Sequence, residues 1–131
     1  MKKFVDTSYF IALLNRRDQW HVQAVRATKA LGEGVTSSLV INETVGLLQS
    51  RRSFSQALIF LRDARHNGNL EIVYPDAALQ AFSWDEFGKW GAMGANAVDC
   101  VSFAIMRRRA IREALTFDRH FQLAGFRTIP R

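Results

Sequence analysis

Four carboxylates stand where apolar neighbours leave them few partners. Asp6 follows Phe4-Val5, Asp118 follows Thr116-Phe117, and Glu43 and Asp99 lie within apolar helical patterns. Taking an isolated ionised carboxylate out of water is costly, so such groups are neutralised, ion-paired or bound to a metal. For any one of the four, a helix cap or an arginine partner explains the position as well as a metal does. For all four together, a shared cation is the simpler account. Carboxylate-only sets suit hard cations such as Mg²⁺ or Mn²⁺, which keep several waters and bridge phosphate oxygens, whereas zinc favours His or Cys. The histidines His21, His66 and His120 show no ligand spacing and read as structural or exposed.

These acids are positioned by a regular alternation of elements. Residues 2–5 read as a short buried strand ending at Asp6, followed by a helix over 7–14 with Thr7 or Ser8 as its N-cap. An amphipathic helix over 20–31 closes at Gly32 and Gly34, and Val35-Thr36 form a second strand. Ser37 or Ser38 caps a helix over 39–49, Ser53 or Ser55 caps another that runs to Gly68, and 70–74 is a strand ended by Pro75. A helix from Asp76 to about Trp90 is broken by Gly88, Gly91 and Gly94. The apolar helix 97–109, the strand 114–117, a short helical turn and a last strand over 127–129 complete the chain.

Strands alternating with helices predict an α/β fold, a three-layer α/β/α sandwich with a mostly parallel central sheet, in a single domain over residues 1–131. In such sheets the functional crevice lies beyond the carboxyl ends of the strands, so Asp6 and Asp118 are expected at one edge. Glu43 shares a helical face with Leu39, Val40 and Leu47. Asp99 shares one with Ser102, Phe103 and Met106. Asp99 also falls in the first turn of its helix, where the macrodipole favours an anion, so it is expected to remain ionised most readily.

Composition narrows the partners. With 48% hydrophobic and 23% charged residues the 131-residue chain has the balance of a soluble globular protein, and its net charge of +6 favours a polyanion such as nucleic acid. Arg16, Arg17, Arg51, Arg52 and the run Arg107 to Arg109 are candidate contacts to an RNA backbone, although solvated helix ends explain each run as well. Trp84, Phe87 and Trp90 at helical spacing read as core or dimer interface rather than base-stacking residues. The lone Cys100 among apolar neighbours reads as a buried, inert thiol in a reducing cytoplasm. Asp6 interrupts, and Arg16-Arg17-Asp18 follows, the apolar stretch that could imitate a secretory signal, and no run is long enough to cross a membrane. Phosphate-binding glycine motifs, a GxSxG elbow and a Cys-His pairing are absent.

Phe4-Val5-Asp6-Thr7-Ser8, Asn42-Glu43, Val98-Asp99-Cys100-Val101-Ser102-Phe103-Ala104 and Leu115-Thr116-Phe117-Asp118-Arg119-His120-Phe121, in this order, resemble the PIN domain, in particular the VapC-type ribonuclease toxins of toxin–antitoxin operons. The resemblance implies a metal-dependent endoribonuclease in which Asp6, Glu43, Asp99 and Asp118 hold one or two Mg²⁺ or Mn²⁺ ions, with Thr7, Ser8 and Thr116 as supporting hydroxyls. It further implies a homodimer and a small cognate antitoxin, whose apolar helix is expected on a groove bordered by the helices around Trp20 and after Ser53. Asn96 stands where such toxins often carry a serine. A PIN-fold nucleic-acid-binding module, a housekeeping RNA-processing protein without a toxin role, and an α/β domain whose acids serve stability alone remain the competing readings.

Overall fold

Most helices of this chain start where a side-chain oxygen replaces a missing backbone acceptor partner. In the computed structural model, which describes residues 1–130, Asp6, Ser37, Ser53, Asp76 and Asn96 cap the helices α1 (Thr7–Leu14), α3 (Ser38–Arg51), α4 (Phe54–His66), α5 (Ala77–Trp90) and α6 (Ala97–Arg108). The cap of α1 is therefore Asp6 itself and not Thr7 or Ser8. The remaining helices are α2 (His21–Thr28) and α7 (His120–Leu123), and the strands are β1 (Lys3–Val5), β2 (Gly34–Ser37), β3 (Leu70–Val73), β4 (Glu113–Leu115) and β5 (Arg127–Ile129). Gly88 lies inside α5 instead of breaking it. The break comes at a 3-10 turn over Gly91–Met93, and Gly94 follows with φ +102°.

The five strands form one sheet in the order β3-β2-β1-β4-β5, and all four pairings are parallel. α1 packs with α2 and α3, and α3 with α4, while α5 packs with α6 and α6 with α7, giving the two helical layers of an α/β/α sandwich. The chain winds outward from β1 to β3, then returns to the other side of β1 to lay down β4 and β5. The reversal falls between β1 and β4, the switch point at which open parallel sheets leave a crevice beyond their carboxyl ends.

The core is built from both layers onto the central strands: Phe4, Val5, Val35, Ala114 and Leu115 are fully buried, and α6 is buried at every position from Asp99 to Met106. Phe121 meets Phe103 edge-on at 5.0 Å and stacks on Phe4 at 6.4 Å. Cys100 is buried and unpaired, its thiol pushed up to about 11 by burial, in keeping with an inert group. Trp84 and Phe87 are not core: α5 turns Leu79, Ser83 and Glu86 inward and leaves these two rings 64% and 47% exposed.

The buried carboxylate of Glu86 is held by the Arg107 Nε–H, with Lys89 at 3.7 Å and the Arg107 guanidinium stacked over Phe126. Arg107→Met leaves that carboxylate buried without its partner and is expected to cost about 3–5 kcal/mol, whereas the double variant Glu86→Leu/Arg107→Met recovers most of the loss. Urea unfolding of the three proteins measures both effects.

Candidate metal centre

Asp6 follows β1 directly, and the β1–β4 ladder continues through it, its amide donating to the Leu115 carbonyl at 3.0 Å. Its Oδ2 accepts the Ser8 hydroxyl at 2.8 Å, the Thr116 hydroxyl at 2.8 Å and the Ser8 amide at 3.4 Å. The Ser8 hydroxyl in turn accepts the Phe117 amide at 2.9 Å, and that of Thr116 accepts the Asp118 amide at 3.0 Å. Two hydroxyls thus tie the end of β1 to the segment after β4. The Thr7 hydroxyl stands outside this network, buried without a hydrogen-bond partner, and only the Thr7 backbone acts on Asp6.

Asp99 lies at the third position of α6 in a capping box. Its amide donates to the Asn96 side chain at 2.8 Å, and its Oδ2 accepts the Asn96 amide at 3.0 Å. Asn96 thereby performs the capping that a serine would perform. Asp118 Oδ1 accepts both the His120 amide at 2.9 Å and the His120 ring at Nδ1, 2.5 Å away. Ligand atoms of Asp99, Asp118 and His120 lie within 4.8 Å of one another, so His120 belongs to the site although its spacing carries no metal-ligand signature. Its Nε2 lies 3.0 Å from the Met93 carbonyl, so a metal at either ring nitrogen would displace one of these contacts. Glycine is required opposite the ring: a Cβ on Gly94 would stand 2.9 Å from Nε2.

Asp6, Asp99, Asp118 and the half-buried Glu43 line one cavity of about 430 Å³, together with Asp18, Trp20 and Arg51. Among the described residues no Lys or Arg forms an ion pair with any of the four acids. The arginine-pairing account fails, while the capping account holds in part, because Asp6 and Asp99 are also caps. The carboxylate oxygens, with no Lys or Arg paired to them among the described residues, fit a hard divalent cation.

The electrostatics differ from the expectation that the helix dipole keeps Asp99 ionised. Burial, joined by the charges of Asp6, Asp118 and Glu43, pushes Asp99 up to about 7 against the pull of the Asn96 amide. Burial also raises Asp6, opposed by its bonds from Ser8 and Thr116. Desolvation at a 6%-exposed position outweighs the dipole.

Of the candidate RNA-contacting arginines only Arg51 lines the acidic cavity. Arg107, Arg108 and Arg109 are engaged with Glu86, Asp76 and Glu71, and Arg52 bonds Gln56 and Asn15. Asp18 and Trp20 carry no local signal in the sequence because only the folded chain brings them to the cavity that Asp118 lines.

The PIN domain family model matches residues 3–127. The chain is 34% identical over 124 residues to the 23S rRNA-specific endonuclease VapC20 of Mycobacterium tuberculosis, covering 94% of each chain. The crystal structure of M. tuberculosis VapC20, described as a Sarcin-Ricin loop cleaving toxin, superimposes with a TM-score of 0.89 at 31% identity, covering 96% of each chain. VapBC2 from Rickettsia felis, solved bound to a promoter DNA fragment, shares the fold with a TM-score of 0.73 at 13% identity, over 98% of this chain and 97% of that one.

Because Asp99 binds a proton more tightly folded than unfolded, its contribution to stability is complete below its ordinary 3.8 and is lost as pH rises through about 7. Without divalent cations, the melting temperature of the native protein is expected to fall across this window relative to that of Asp99→Asn. Added Mn²⁺ should restore it most at the upper end, where it displaces no proton. Paired melting curves against pH measure the difference.

Proposed function

This chain belongs to the PIN domain family, and from that premise we propose that it is a divalent-cation-dependent endoribonuclease acting as the toxin of a toxin–antitoxin pair. The observation that carries the proposal is the convergence of four carboxylates, none paired with Lys or Arg, on one cavity of a protein with net charge +6. Asp6, Glu43, Asp99 and Asp118 would hold Mg²⁺ or Mn²⁺. A cation bound there draws an anionic phosphodiester into an acidic cleft and makes an attacking water more acidic. Ser8 and Thr116 orient Asp6, Asn96 orients Asp99, His120 fixes Asp118, and Arg51 at the rim offers a contact to the RNA backbone. The 34% identity along nearly the whole chain to a 23S rRNA-specific endonuclease makes large-subunit rRNA the first substrate to test, and a ribosomal target supports action in the cytoplasm. No helix among the described residues is long and apolar enough to cross a membrane.

The toxin role needs an inhibitor. An apolar groove of about 380 Å³ between α1 and α4, lined by Phe10, Leu13, Leu14, Ile59 and Phe60, supports docking of an antitoxin helix. Trp20 does not border this groove, so the expected boundary moves from the α2 end to α1. The exposed rings Trp84 and Phe87 on α5 are our candidate for a homodimer contact.

Purified native protein with Mg²⁺ or Mn²⁺ is expected to cut an rRNA fragment carrying the sarcin–ricin loop. Asp99→Asn and Asp118→Asn should lose roughly a hundredfold or more in kcat/KM while staying folded, Asp99→Asn melting at or above the native protein when divalent cations are absent. Cleavage is followed by mapping RNA ends, and full activity in either variant would refute the assignment. In cells, expression of the chain alone should arrest growth, and the small protein encoded beside it should relieve the arrest. Arrest by Asp99→Asn as strong as by the native chain would favour another activity.

A further inference from the structure

We propose that Trp20 is a nucleobase-stacking platform that positions the RNA nucleotide next to the scissile phosphate, an inference that rests on the ribonuclease reading above. Phe117 stacks nearly parallel on two rings, the buried Tyr9 at 6.4 Å and 14° and Trp20 at 5.4 Å and 7°. Tyr9 is itself fixed, its hydroxyl donating to the Ala24 carbonyl on α2 at 3.0 Å. Exposure rises from 1% at Tyr9 to 40% at Trp20, so the aromatic series opens to solvent at the indole. The Trp20 backbone is held as well, its amide donating to Asp18 Oδ1 at 2.8 Å. A large aromatic ring immobilised on both its backbone and one face, and left open elsewhere, loses little freedom when a flat ligand stacks on it.

Its location identifies the ligand. Trp20, Phe117 and Asp118 line both the acidic cavity and a second cavity of about 330 Å³, whose wall includes Gln23, Arg119 and Gln122. A nucleotide whose phosphate is drawn by a cation held among the carboxylates therefore has its base within the span of an aromatic surface and of the Gln23 side-chain amide, while the Gln122 amide already donates to Thr128. Arg119 and Arg51 stand at the two cavities without carboxylate partners among the described residues, and supply positive charge for the backbone on either side. Every base has a π face, so stacking on Trp20 serves an unpaired or splayed-out nucleotide, the form in which RNA loops present their bases.

The test is a cycle of protein and RNA changes, using native protein, Trp20→Ala and Trp20→Phe on a hairpin RNA carrying the sarcin–ricin loop. Each flanking nucleotide of the mapped cut is replaced in turn by an abasic residue. Removing one particular base is expected to lower kcat/KM of the native enzyme roughly tenfold. Trp20→Ala should lose a similar factor, mostly through KM, and be indifferent to that base. Trp20→Phe should recover most of the loss. Melting curves and Mn²⁺-induced shifts matching the native protein show that Trp20→Ala has kept its fold and its acidic site. Equal sensitivity of native and Trp20→Ala protein to base removal, or unchanged cleavage with weakened inhibition by the antitoxin, overturns the proposal, the latter assigning the indole to the protein partner. If native protein cleaves no RNA at all, the ribonuclease reading falls first and the subsite with it.

Discussion

The hydrogen bond from the Asp6 amide to the Leu115 carbonyl extends the pairing of β1 with β4, and the site is organised around it. It joins strands that are adjacent in space but lie at opposite ends of the chain. Once they pair, the direction of winding has to reverse between them, and helices from opposite layers diverge above their carboxyl ends. Asp6 and Thr116 become neighbours, and the Phe117 and Asp118 amides find acceptors in the Ser8 and Thr116 hydroxyls. A chain that paired β1 and β4 with a register shifted by one residue would turn these side chains to the other face of the sheet.

The cost of concentrating carboxylates is spread over several local devices. Asp6 caps α1, Asp99 completes the capping box of α6, and Asp118 receives both the amide and the ring of His120. These bonds stabilise the anionic forms without introducing a Lys or Arg that would compete for the cavity. They do not fully offset desolvation, as the upward shifts of Asp6 and Asp99 show. Stability given up at a functional cleft is common, and here the buried stretch Asp99–Met106 of α6 and the Glu86–Arg107 pair that joins α5 to its last turn provide the compensating rigidity.

The element order was legible because most helices carry their own start signal and the strands are short, largely apolar runs. The grouping of Asp6, Glu43, Asp99 and Asp118 was legible because strand-end and buried-face positions can be counted along a chain. What escaped depends on burial and on distant partners. The helix dipole acting on Asp99 is a local effect visible in sequence, whereas the desolvation that overrides it depends on packing of all of α6. Trp84 and Phe87 look like core by spacing, yet the inward face of α5 is set by Glu86 seeking Arg107, a partner 21 positions away. The same pairing removes Arg107 from the set of free cations. His120 was set aside because metal motifs are recognised by repeated spacing, while its role comes from closing an Asp118-centred turn against the Met93 carbonyl.

The way the carboxylates are tethered also bears on which ion the cleft accepts. Asp6 and Asp99 each commit Oδ2 to chain donors, and Asp118 commits Oδ1, so each of these three acids keeps one oxygen without a bond to the chain. A divalent ion held there would meet one oxygen from each of these acids that no chain donor yet occupies. Calcium fills seven or eight positions readily through bidentate carboxylates, whereas magnesium takes an octahedron of single oxygens and retained waters. Single free oxygens of this kind would suit an ion of low coordination number better than a larger one that gathers seven or eight oxygens.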